Sequence, residues 1–127
     1  MSVPFNLHHD QIIVETTVVG PAGSIIVHLS LDTGATNTAI SPAMLMFCGY
    51  SVAQAVSQFQ VTTAGGVVYL PEVVVQKLSA LGRDAIDFPV LMLPLPPSAG
   101  VDGVLGLDFL RNQVLTIDFR SGQITLT

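Results

Sequence analysis

Asp32 offers the most chemistry of any residue in this chain. It stands at the end of an apolar run, Ser24 to Leu31, and is followed by Thr33, Gly34, Ala35 and Thr36. That order puts a carboxylate where a strand leaves the core and enters a turn that needs a glycine. A carboxylate in such a place loses solvation unless a partner or a function holds it there. If it is functional, its chemistry is proton transfer, as a general acid or base. Further along, Val104-Leu105-Gly106-Leu107 is an apolar segment broken by one glycine, a signal for the close approach of another backbone.

The other polar candidates read more simply. His8 and His9 adjoin Asp10, but neighbouring residues in a terminal segment are poorly placed to chelate together, so no metal is implied. Asp102 precedes Gly103 and reads as a turn residue. Asp108 falls in the first turn of a short helix, where a carboxylate suits the dipole. His28 lies in an apolar strand. Cys48 has no matched histidine motif and reads as a small hydrophobe, and Met44 and Met46 as apolar filler.

Three segments in order resemble the retropepsin-like aspartic proteases: Asp32-Thr33-Gly34-Ala35-Thr36, then Thr62-Thr63-Ala64-Gly65-Gly66-Val67, then Asp102 to Leu110. The resemblance runs from about Ile12 to Leu126. It implies a mostly β fold, a closed barrel-like lobe with one or two short helices, acting as an aspartic endopeptidase. Asp32 would be the catalytic residue, with Thr33, Gly34 and Ala35 supporting its turn. Thr62, Thr63, Ala64, Gly65, Gly66 and Val67 would form the tip of a flap closing over the substrate. Leu105 and Gly106 would pack behind the turn. Ile40, Val67, Leu95 and Val104 would wall apolar pockets, favouring hydrophobic residues beside the scissile bond.

Aspartic proteolysis needs two carboxylates sharing one water, and like charges that close do not both ionise cheaply. This chain has one Asp-Thr-Gly, so the resemblance implies a homodimer in which Asp32 of each subunit meets its copy on the two-fold axis. Water is the nucleophile, so no cofactor is implied. Retroviral members usually carry Asp where this chain has Thr36 and Arg where it has Leu107, an ion pair at the dimer interface. Both partners are replaced here together, which avoids orphaning a charge. The alternative is a catalytically inactive member of the fold, serving as a dimerisation or peptide-binding module.

Composition is consistent with this. The chain has 127 residues, half of them hydrophobic and 10% charged, enough for one domain spanning 1–127 with a core over about 11–127. Residues 1–10 are expected to be mobile. The net charge of −5, with four Lys and Arg, leaves no basic footprint for nucleic acid. No apolar run is long enough for a membrane span, no leader pattern is apparent, and the single cysteine excludes an internal disulfide. A cytoplasmic location is the resulting expectation, the alternative being a soluble domain of a larger or membrane-attached protein.

The positioning elements can be placed. Gln11–Val19 and Ser24–Leu31 read as a hairpin around Gly20-Pro21-Ala22-Gly23, leading into the Asp32 turn. Thr38–Ser41 reads as a short strand and Pro42–Cys48 as a short helix stopped by Gly49. Gln58–Thr63 and Val67–Val75 flank the glycine tip, and Ile86–Leu93 is a further strand. Pro94–Gly100 is a loop, Leu107–Arg111 a helix, and Val114–Phe119 with Gln123–Leu126 a last hairpin.

Overall fold

The computed structural model describes the backbone of residues 1–127 and every side chain except that of Thr63. In chain order the strands are β1 (Ser2–Pro4), β2 (Ile13–Gly20), β3 (Gly23–Leu31) and β4 (Ala39–Ile40), then helix α1 (Pro42–Phe47). β5 (Ser57–Thr63), β6 (Gly66–Ala80), β7 (Arg83–Met92) and β8 (Gly103–Leu105) follow, then α2 (Leu107–Leu110), β9 (Leu115–Asp118) and β10 (Gln123–Leu126). The mostly β character follows from the valine, isoleucine and threonine content.

β2 and β3 pair in register from Ile13↔Ser30 to Gly20↔Gly23. Their alternation turns Val14, Val18, Val27 and Leu29 into the core. β3 continues to β8 in parallel, β8 to β4 and β4 to β7; β7 pairs with β6, which returns to β2 at Val18↔Leu78. The six strands therefore close into a barrel. β5 pairs with β6 alone, so the β5–β6 hairpin extends beyond the barrel. A second, three-stranded sheet has the order β1-β10-β9.

Two sequence expectations change. Residues 1–10 were expected to be mobile, but Ser2–Pro4 pairs with β10 and the Phe5 N–H donates to the Gly122 carbonyl at 2.9 Å. β6 runs on to Ala80 instead of ending at Val75, because Val75 and Leu78 are needed in the core and the second half of the strand closes the barrel. β8 was not anticipated as a strand. Three residues containing a glycine carry little pattern, yet Gly103 is what lets β4 lie against it: a Cβ there would collide with the Ala39 carbonyl.

Phe109, from α2, is fully buried at one end of the core. Its ring meets Phe88 edge-on, with centroids 5.9 Å apart, and the Arg83 guanidinium lies 4.8 Å from its centroid. Arg83 also donates to the Phe109 carbonyl at 2.8 Å, satisfying the C-terminal end of a helix too short to be stable alone. Among the described residues, no helix is long and apolar enough to cross a membrane.

Candidate active site

Asp32 continues the β3–β8 ladder by one residue. Its N–H donates to the Leu105 carbonyl at 3.0 Å, and its own carbonyl accepts from Ala35 N–H at 3.2 Å. The carboxylate is fixed from within the turn: Oδ1 accepts the Gly34 N–H at 2.9 Å. Asp32 is half-buried, whereas Thr33 and Gly34 are exposed. No side-chain hydrogen bond holds the Thr33 hydroxyl within the described residues, so it is available to a partner.

The turn is laced to the segment behind it. Ala35 and Thr36 carbonyls accept from Leu107 N–H at 2.8 Å and Asp108 N–H at 3.2 Å. Gly106 permits this contact, since a Cβ there would sit 2.8 Å from the Asn37 carbonyl and 2.9 Å from that of Ala35. Thr38 is fully buried and joins the two segments. Its hydroxyl accepts the Gly106 N–H at 3.1 Å and donates to Asp108 Oδ1 at 2.7 Å. Asp108 also accepts the N–H groups of Thr38, at 3.0 Å, and Phe109, at 2.9 Å. Asp108 therefore does more than favour a helix dipole. A buried charge-assisted network of this kind holds the turn in one geometry.

The structure sorts the expected pocket residues. Val104 is half-buried and lies beside Ser30, on the sheet face opposite the buried Leu29 and Leu105. Asp32 is two residues beyond Ser30 on that face, so Val104 flanks the turn. Leu95 lines a pocket of about 400 Å³ with His28 and Asp102. Ile40 does not line a pocket: it is fully buried, because its partner across the ladder is Gly103 on the core-facing side.

The register of the β5–β6 hairpin divides its residues between two faces. Thr62↔Val67 and Gln60↔Tyr69 share one face of the β5–β6 hairpin; Val61↔Val68 and Phe59↔Leu70 share the other. Exposure does not separate the two faces, since Val67 and Tyr69 are 50% and 64% exposed and Phe59 and Val68 37% and 41%; alternation from the buried Val73 and Val75 puts Val67 and Tyr69 on the row of β6 that leads to the core. Val67 and its cross-strand neighbour Thr62 therefore lie on that side of the hairpin. Ala64 and Gly65 form the two-residue turn, closed by Thr63↔Gly66, with Gly66 at φ +118°. The Thr63 side chain lies outside the described residues. His9 accepts Gln11 N–H through Nδ1, and among the described residues no three metal-ligating side chains are grouped.

Comparisons with known proteins agree with this geometry. The family model described as "gag-polyprotein putative aspartyl protease" matches residues 22–112. The fold is similar to the crystal structure of a retropepsin-like aspartic protease from Rickettsia conorii, with a TM-score of 0.73 and 15% sequence identity over 99% of this chain and 88% of that one. No curated protein matches.

Proposed function

This chain belongs to the gag-polyprotein aspartyl protease family of retropepsin-like proteins, and from that premise we propose that it is an aspartic endopeptidase working as a homodimer. The observation that carries the proposal is the single Asp32 turn. Its carboxylate is held by Gly34 and braced by the Thr38–Asp108 network, yet stays accessible. Asp32 of one subunit, ionised, removes a proton from water; Asp32 of the other, protonated, polarises the scissile carbonyl. Thr33 supports the turn across the two-fold, Gly34 and Ala35 leave room for the peptide backbone, and the hairpin tip closes over it. Val67 and Val104 favour apolar residues beside the scissile bond.

Backbone directions support a particular assembly. Val114 and Thr127 exchange both hydrogen bonds, so Thr116 also faces β10, and the N–H groups of Leu115 and Ile117 point to the free edge of β9. On the other side of the sheet, Phe5 bonds toward β10, which turns Ser2 and Pro4 outward. Pro4 has no N–H, so the β1 edge is blunted. The β9 edge has its donors and is flanked by Val114 and Phe119, 64% and 65% exposed. β9 is therefore the strand that meets its copy, and one continuous sheet joins the subunits.

The test is cleavage of a diverse peptide library from pH 3 to pH 8 by the native chain and by Asp32→Asn, with sedimentation of both. Acid-range cleavage by a dimer, lost in a variant that remains a folded dimer, is the expected result. Cleavage by a monomer, or cleavage surviving in the variant, rejects the proposal. A native dimer that cleaves nothing favours the peptide-binding module.

A further inference from the structure

The face of β3 that leads to Asp32 does not end there. Val27 and Leu29 are fully buried, so His28 and Ser30 occupy the opposite side, with Asp32 next in the same row. β8 runs parallel to β3 with Ser30 beside Val104, which puts Asp102 beside His28 on that side. Asp102 is fixed at three of its four polar atoms. Its N–H donates to the His28 carbonyl at 2.9 Å, and its carbonyl accepts Ser41 N–H at 2.8 Å. Its Oδ2 accepts His28 N–H at 2.8 Å and lies 3.9 Å from His28 Nδ1. Oδ1 makes no hydrogen bond among the described residues. The carboxylate is 30% exposed and opens into the pocket of about 400 Å³, whose walls include Leu95, Pro96, Pro97, Val101 and Met44.

We propose that this pocket is a distal substrate subsite that takes a lysine or arginine side chain, with Asp102 as its specificity residue. The proposal rests on the endopeptidase reading. His28 is four residues before Asp32, about 13 Å along a strand at roughly 3.3 Å per residue. A peptide extended along this face with its scissile bond at Asp32 presents to the pocket a residue about four places away. The two-fold repeats the pocket on the other side. Apolar walls suit the methylene stem of a long cationic side chain, and the free carboxylate oxygen suits its head. No Lys or Arg lines the pocket, whose one basic side chain is His28, set beside Oδ2, and nine Asp and Glu against four Lys and Arg give the chain a field that draws cations. An acidic side chain would meet Asp102 and be rejected.

The experiment has two readouts on the 127-residue chain. In the first, a peptide library randomised over five residues on each side of the scissile bond is cleaved by the native protein, by Asp102→Asn and by Leu95→Lys. Native enzyme is expected to prefer Lys or Arg over norleucine by about five- to tenfold at the distal position. The preference should vanish in Asp102→Asn, and equally in Leu95→Lys, which puts a cation in the pocket. In the second, acetyl-arginine amide and acetyl-norleucine amide are titrated while the NMR signals of the His28 ring and the Gly100 and Val101 amides are followed. Only the arginine probe should shift them, and only with Asp102 present. Cleavage without a distal cationic preference overturns the subsite and leaves the endopeptidase reading intact. Probe binding without cleavage supports the cationic pocket and rejects the endopeptidase reading. Failure of the arginine probe to shift these signals overturns the pocket outright.

Discussion

Replacing Thr38 by valine removes one hydroxyl and almost nothing else, which makes it the sharpest test of how the Asp32 turn is held. The side chain has no exposure, so water cannot replace what is lost. Its oxygen is the acceptor for Gly106 N–H at 3.1 Å, and Gly106 is itself buried. Stranding that donor costs about 1–3 kcal/mol. The hydroxyl also donates to Asp108 Oδ1 at 2.7 Å, but Asp108 keeps the N–H groups of Thr38 and Phe109, so this loss is partial. The combined destabilisation is expected to be about 2–4 kcal/mol, a large share of the roughly 5–15 kcal/mol that holds a domain together. Thr38→Ser keeps the hydroxyl and deletes one methyl, at about 1 kcal/mol. Urea unfolding at a fixed protein concentration measures both, with an unchanged slope showing that the comparison is fair. A valine variant within about 0.5 kcal/mol of the native protein, or a serine variant as damaged as valine, would refute the argument that the hydroxyl is the brace.

Three further outcomes are expected. Tyr50→Phe should cost about 1–3 kcal/mol in the same assay, since the phenol donates to the Val19 carbonyl at 3.0 Å and accepts Gln76 N–H at 2.8 Å, leaving both without a partner. Cys48 is fully buried, and burial pushes its thiol up despite an opposing backbone hydrogen bond. Native protein near pH 8 should therefore resist a disulfide reagent that labels the urea-unfolded chain at once; immediate native labelling would contradict the packing of α1. Asp118, in the turn joining β9 to β10, has its carboxyl held below the usual value of 3.8, first by the Ser121 hydroxyl and then by the N–H groups of Ser121 and Arg120. A depressed folded value means the stabilisation is present above pH 3.8 and is lost as pH falls through the lower folded value. Asp118→Ala should thus melt below the native protein at pH 5, with the gap closing toward pH 2; a gap that widens in acid would reverse the sign.

The parts of this protein legible in its sequence are those fixed by neighbours along the chain. Alternation in Ile13–Gly20 and Gly23–Leu31 marks two strands, and Gly20-Pro21-Ala22-Gly23 marks their turn. The Pro42 start and Gly49 stop frame a helix found at Pro42–Phe47. The Asp-Thr-Gly turn and the Gly106 segment are also local patterns, and the structure bonds them together as close backbone approach requires.

What the sequence concealed is set by pairings between distant residues. Thr38 is an ordinary strand threonine until α2 carries Asp108, seventy residues on, against it. Asp102 reads as a turn residue because Gly103 follows it. Only the parallel register of β8 on β3 moves it into the row that holds His28, Ser30 and Asp32. Ile40 fails as a pocket residue for the converse reason, since one step of alternation on β4 points it at Gly103 and into the core. A hydrophobic residue near a turn can face either way, and one residue of register decides between a substrate wall and a barrel interior. The same rule sets the free edges of the second sheet: Pro4 blunts β1 only because Phe5 takes the bond to Gly122, and a one-residue slip would aim Pro4 inward and leave that edge open.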